Sequence, residues 1–393
     1  MKTAQSLESV TRRRLLQVVG AGGLGLALGV RPGDAHEGGR PSEPEIKTRL
    51  TESFGLRHPF VGAGMGFVAL PELVAAVSEA GGLGVLGVAP EPPPAFAERL
   101  TQIRALTSRP FGVDFFLAVS PTLGPVTVDA HIDIAAAAKV DLVVFHFGIP
   151  TAAWVSSLKA AGSAIWVQVP SVEQARAALD AGADGLVVQG KEAGGHNHST
   201  TPLHHLLRDV RDEVGRHVLL LAAGGIATGA DVVAALAHGA DGVWVGTRLV
   251  ASTEAYANAE WKRRLVAARR NDTVITTLFG PEVPCQPYRV LRNPAIDANI
   301  ARQDEICGLP PAGTIGTTLL FPGTSIATPG VPMPTFSALP PTPDTTGNFD
   351  AMGMPAGEGA HEIRDVKPAA RIVEDMMEEA RSLLARGLAR PAE

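Results

Sequence analysis

From residue 60 onward two periodicities alternate along the chain. Short apolar, β-rich runs at 60–63, 83–86, 111–116, 142–145, 164–169, 185–188, 218–222 and 242–245 predict buried strands. Between them apolar residues return at helical spacing, as at 70–80, 171–181 and 230–238, with Gly82, Gly182 and Gly239 close behind the helix ends. Eight such units over roughly 210 residues predict an α/β fold, a TIM (β/α)8 barrel, whose usual length is about 250 residues. The segments ALDAGADGLVVQG (178–190) and ALAHGADGVWVGT (235–247) echo each other two units apart, as a duplicated barrel segment does. Helix, glycine turn and buried strand look alike in any α/β protein, and a doubly wound sheet is the rival architecture.

The alternation stops after the eighth strand. Residues 308–355 are rich in Pro, Gly and Thr without sustained periodicity and predict a long ordered loop or lid wrapped on the barrel. A helix over 368–386 then closes the chain, its apolar face formed by Ile372, Val373, Met376, Met377, Leu383 and Leu384. The expected organisation is a leader and linker over 1–42, a barrel over 43–280, and a C-terminal Pro/Gly-rich extension with its closing helix over 281–393. In the leader, Arg12, Arg13 and Arg14 precede Leu15 and Leu16, an apolar stretch over 18–30, and the small residues Gly33, Asp34 and Ala35. That stretch is shorter than the roughly 20 residues a bilayer span requires. The leader resembles a twin-arginine export signal, which predicts a periplasmic protein, carried across already folded and free of the membrane afterwards. An uncleaved tail on a cytoplasmic protein is the alternative.

Composition narrows the partners. With 45% hydrophobic residues the chain can bury a substantial core, and a net charge of −6 gives no basic footprint for nucleic acid or an anionic membrane surface. Cys285 and Cys307 are the two cysteines; their spacing matches no metal site, neither follows a barrel strand, and they form at most one bridge.

The unusual residues fall at one end of the predicted barrel. Met65 follows the first strand, Asp114 lies near the end of the third, His146 follows the fourth, Gln189 to His196 the sixth, Gly224 and Gly225 the seventh, and Gly246 and Thr247 the eighth. Barrel enzymes keep their active sites on that face, where eight loops converge over a rigid core. AAGGI after strand seven and VGTR after strand eight offer unshielded backbone N–H groups, which predict a phosphate site aided by a following helix N-terminus. In QGKEAGGHNH, Gly194 and Gly195 let the backbone approach a flat ligand and leave His196 over it. An imidazole so placed accepts a proton or, once charged, binds an anion. With His198, His204 and His205 nearby, an ordinary surface histidine is the competing reading.

Six motifs in order, GMGFVALPELVAAVSEAGGLGVLG, FGVDFF, FHFGIP, QGKEAGGHNH, AAGGIATGADVVAAL and GADGVWVGTR, resemble those of the nitronate monooxygenases, also called 2-nitropropane dioxygenases. The likeness spans about residues 53–280, and GEGAHEIRDVKPAARIV resembles the family's closing segment. It implies an FMN-dependent TIM barrel that oxidises alkyl nitronates with oxygen to a carbonyl compound and nitrite. It also implies that Gly64, Met65, Asp114, Gln189, Gly194, Gly195, Gly224, Gly225, Trp244, Val245, Gly246 and Thr247 surround FMN. His196 would then bind the nitronate or deprotonate a neutral nitroalkane, and His146 would line the substrate pocket. Three residues depart from the family pattern: Asp114 replaces Asn, Gly64 replaces Pro, and Glu358 replaces Gln. The alternative activity is flavin-dependent reduction of a quinone or enoyl thioester by NAD(P)H, although FHFGIP differs from the TGAGNP of enoyl reductases. A barrel that only binds a phosphorylated ligand is the third possibility. Oligomeric state is open.

Overall fold

The computed structural model describes residues 45–388 apart from 89, 122 and 123; the leader and its twin arginines lie outside the described residues. Eight parallel strands form a closed barrel: β1 (Phe60–Gly62), β2 (Leu83–Gly87), β3 (Phe111–Phe116), β4 (Leu142–His146), β5 (Ala164–Val169), β6 (Gly185–Gln189), β7 (Leu219–Ala223) and β8 (Gly242–Val245). Each pairs with its sequence neighbours, and β8 closes onto β1 with Phe60 opposite Val243, Val61 opposite Trp244 and Gly62 opposite Val245. Each strand end lies within one residue of the position its apolar run predicts.

Strand pleating sorts the side chains into two cores. Outward residues such as Val113, Phe115, Val143 and Phe145 pack beneath the surrounding helices. Inward residues such as Val61, Leu83, Val144, Trp166, Leu221 and Trp244 fill the barrel. The helix Arg49–Phe54 plugs the lower end: Leu50 is fully buried with the inward set, and the Phe54 ring meets Trp166 edge-on with centroids 5.5 Å apart. The helix therefore caps the barrel below, and the cavity opens at the carboxyl ends of the strands.

The extension carries regular strand pairing that its composition does not predict. Thr314–Leu320 and Thr328–Pro334 pair as an antiparallel hairpin with register shifts, and Thr346–Gly347 adds to its edge. The expected loop is thus corrected to a small sheet, with Leu320 and the following segment 338–340 facing the barrel mouth. A second sheet joins Thr273–Thr276, Tyr288–Leu291 and Gly195–His196, so the extension is stitched to the loop after β6. Cys285 and Cys307 are disulfide-bonded with Cα atoms 5.0 Å apart. The closing helix, Ala369–Leu388, buries Ile372, Val373, Met376, Met377 and Ala380 against the helices Gly229–Ala237 and Pro71–Glu79. No helix among the described residues is long and apolar enough to cross a membrane.

Candidate active site

Inward polar residues at the top of an apolar barrel define the site. Pleating that turns Val113 and Phe115 outward turns Asp114 and Phe116 inward, and the same rule brings in His146 on β4 and Gln189 on β6. They open into a cavity of about 390 Å³, within the range of small-molecule and cofactor sites. Gly64, Met65, Asp114, His146, Gln189, Gly194, Gly195, His196, Gly224, Gly225, Trp244, Gly246 and Thr247 all line it. Val245 stands apart: its side chain points outward into the helical layer, and its carbonyl accepts the Ala63 N–H at 2.9 Å. Among the described residues no cluster has the makings of a metal site.

The loop after β6 is built by internal hydrogen bonds. Gln189 Nε2 donates to the His196 carbonyl at 3.2 Å. The buried Asn197 amide donates to the carbonyls of Gly190, Lys191 and Ala193 at 3.1, 3.2 and 3.1 Å. On the other side, Asn197 N–H donates to Pro287 O at 3.0 Å. Gly194 is required by a close approach: a Cβ there would stand 2.5 Å from Gly357 N and 2.6 Å from the Ala356 carbonyl carbon. Gly224 meets both demands, with φ +118° and a would-be Cβ 2.9 Å from Ala193 N.

These glycines leave a backbone-walled cradle that a phosphate-tailed flat ligand can fill, and in that respect the residues fit FMN. One part of the expected phosphate site needs correcting. The N-terminus of the helix Gly229–Ala237 is already occupied, since Gly229 N–H donates to Glu379 Oε2 at 2.7 Å and the Asp231 carboxylate accepts from Ala227 and Thr228 at 3.0 and 2.9 Å. Of the expected site, the backbone at 224–225 and 246–247 is what the structure brings to the cavity.

His196 is enclosed by rings: Tyr288, Phe147 and Phe116 have centroids 4.5, 5.4 and 5.6 Å from its own. Its Nε2 is buried with no hydrogen-bond partner among the described residues. Burial first, then the neighbouring His146 and His198, push its pKa down to about 3. Burial thus favours the neutral form of the ring over the charged one. Below the ordinary value of 6.5 the unfolded chain takes up a proton that the folded ring refuses, so this burial increasingly disfavours the fold as pH falls from 6.5 towards 3. The His196 ring resonances in NMR are expected to stay fixed from about pH 8 to about pH 5, where an ordinary imidazole titrates. A midpoint near 6.5 would show that the ring is solvated.

Several site residues had no local signal in the sequence. Tyr288 is buried, lines the cavity and donates its hydroxyl to Ala338 O at 3.3 Å, yet lies 92 positions from its strand partner His196. Glu282 faces the same cavity and holds the lid, accepting from the Ser337 hydroxyl at 2.7 Å and from Ala338 N–H at 3.1 Å. Gly357 N–H donates to Thr247 Oγ1 at 3.0 Å, joining the closing segment to β8. The Glu358 departure lies outside the cavity lining, where Arg289 answers its charge at 3.0 Å.

A family model described as nitronate monooxygenase matches residues 47–379. The chain is 35% identical over 256 residues to a (3aS,4S,5R,7aS)-5-hydroxy-7a-methyl-1-oxo-octahydro-1H-indene-4-carboxyl-CoA dehydrogenase of Mycobacterium tuberculosis, covering 64% of this chain and 68% of that protein. A probable nitronate monooxygenase of Staphylococcus aureus is 31% identical over 272 residues, 60% of this chain and 76% of that one. Among solved structures, FabK of Thermotoga maritima superposes with a TM-score of 0.69 at 30% identity, covering 87% of this chain and 98% of its own. A nitroalkane oxidase of Streptomyces ansochromogenes does so with a TM-score of 0.69 at 28% identity, covering 86% and 99%.

Proposed function

Given that this chain belongs to the nitronate monooxygenase family and is an oxidoreductase, we propose that it binds FMN at the barrel mouth and oxidises alkyl nitronates with oxygen, releasing a carbonyl compound and nitrite. The observation that carries this reading is the single cavity in which the glycine pairs 194/195 and 224/225 meet the ring-enclosed His196. When bound, the flavin supplies the redox chemistry, taking electrons from the nitronate and passing them to oxygen.

The chain's own residues bind, orient and exclude water. The backbone at 224–225 and 246–247 would hold the phosphate of FMN, and Met65 and Trp244, which line the same cavity, would border its ring system. Leu320, Ala338 and Leu339 roof the mouth with apolar surface, so a small nitronate is desolvated as it enters. Neutral His196 offers the nitronate a hydrogen bond without surrendering a proton to it.

Anaerobic mixing of the yellow protein with propyl nitronate is expected to bleach the flavin within the time of a turnover, and readmitted air to restore the colour and yield nitrite. NADH is expected to bleach it far more slowly. The reverse order would favour the second reading, NAD(P)H-dependent reduction of an enoyl thioester, which draws support from the resemblance to a dehydrogenase named for a CoA ester. A colourless protein that FMN cannot reconstitute would defeat both. For location, we propose export through the twin-arginine leader. The Cys285–Cys307 disulfide supports this, because such bridges persist in oxidising compartments.

A further inference from the structure

We infer that Trp261, on a helix beyond the eight barrel units, donates its indole N–H to the phosphate of the bound flavin. The inference rests on the FMN reading above and goes beyond it, because it gives the phosphate end a side-chain donor that lies outside every glycine motif.

The starting observation is a donor left without an acceptor. Among the described residues with a buried side-chain polar atom that makes no hydrogen bond, only His196 and Trp261 line the barrel-mouth cavity. An imidazole nitrogen can donate or accept, so His196 Nε2 specifies no particular partner. An indole N–H can only donate. Trp261 is 1% exposed, and a donor buried that deeply without an acceptor weakens the fold, so its missing partner must be an acceptor supplied from the cavity.

The packing assigns the indole to one end of that cavity. The helix Ala259–Ala267 starts at Asn258, whose side chain accepts the Glu260 N–H at 2.9 Å, and it buries Trp261 and Leu265. It packs against the short helix Glu358–Glu362. That segment in turn lies on the glycine cradle: a Cβ on Gly359 would stand 2.6 Å from Gly225 O, and the Gly357 N–H donates to Thr247 Oγ1. Ile226, Val250, Gly357 and Gly359 line the cavity together with Trp261. The indole therefore belongs to the end formed by 224–225 and 246–247.

Charge makes this donor matter. No Lys or Arg among the described residues lines the cavity. The two cations adjacent in sequence are engaged elsewhere: Arg248, beside Thr247, gives Nη1 and Nη2 to Asp365 at 3.2 and 2.6 Å, and Lys262, beside Trp261, gives Nζ to the carbonyls of Ser252 and Ala255 at 2.7 and 2.8 Å. A phosphate at this end is recognised by neutral donors. Each such hydrogen bond to a charged acceptor is of the stronger kind, and removing one is felt.

The test uses flavin-free wild-type protein and Trp261→Phe, each checked for native circular dichroism. Phenylalanine keeps an aromatic ring in the core and removes the donor. FMN and riboflavin, which differ by the phosphate, are titrated into both proteins. Trp261→Phe is expected to weaken FMN binding by about tenfold to a hundredfold and to leave the Kd for riboflavin unchanged. A second readout needs no variant. In isotope-labelled wild-type protein the Trp261 indole N–H resonance, assigned through its backbone, is expected to move downfield with FMN and with inorganic phosphate, and to stay in place with riboflavin. Equal losses for both flavins would reveal a packing role and overturn the proposal. So would a resonance that neither FMN nor inorganic phosphate moves, which would make an internal water the acceptor. A resonance that follows inorganic phosphate in a protein that binds neither flavin would sink the FMN reading while upholding the phosphate contact.

Discussion

A Gly194→Val protein is expected to fold its barrel yet purify colourless and inactive towards nitronates. The added Cβ would sit 2.5 Å from Gly357 N and 2.6 Å from the Ala356 carbonyl carbon. Both are backbone atoms, so neither can swing aside as a side-chain tip would. The closing segment must lift from the loop after β6, and the hydrogen bonds Gly357 N–H to Thr247 Oγ1 at 3.0 Å and Glu358 N–H to Glu192 O at 2.9 Å lengthen with it. Overpacking of this kind costs about 1–3 kcal/mol. Adding two hydrogen bonds at about 1 kcal/mol each predicts flavin capture weakened by a hundredfold or more, since about 1.4 kcal/mol corresponds to tenfold. Residue 194 belongs to no barrel strand, so far-ultraviolet circular dichroism should be nearly unchanged. A variant that purifies yellow with full turnover would refute the close-packed cradle.

Removing the disulfide is the second large effect. In a Cys285→Ser, Cys307→Ser protein, the loop of 22 residues is no longer closed in the unfolded chain, and the chain-entropy relation assigns this a loss of about 3 kcal/mol. The damage should reach chemistry as well as stability. Tyr288 follows three positions after Cys285, pairs with His196 across the short sheet and packs its ring 4.5 Å from the imidazole. Loosening the 285–288 segment frees one wall around His196. The expected results are a thermal midpoint lowered by several degrees and a reduced kcat/KM. Reductant should reproduce both in the wild type while leaving the double variant unaffected. Identical melting with and without reductant would show that the bridge carries no stability.

The barrel was legible because its physics is local. A buried parallel strand needs a continuous apolar run, and a polar residue inside such a run, as Asp114 in FGVDFF, marks an inward position at the strand's carboxyl end. The glycines announced themselves for the same reason, since the close approaches at 194 and 224 occur next to recognisable strand ends. The hairpin was hidden by its composition. Thr314–Leu320 carries Thr, Ile and Leu suited to a strand, but Pro329, Pro332 and Pro334 in its partner are the residues of a turn unless a sheet edge accommodates them. The helix start at Gly229 looked free because the carboxylate that occupies it, Glu379, lies 150 positions away. Tyr288 escaped because a two-residue pairing across 92 positions leaves no periodicity to read.

The antiparallel pairing of Tyr288 with His196 and of Arg289 with Gly195 also sets a rule for recombining this protein with its relatives. A crossover between barrel and extension would splice the ladder from two parents and misplace the imidazole, even if each half kept its own shape. Segments 193–197 and 287–291 form one heritable unit and must come from the same donor.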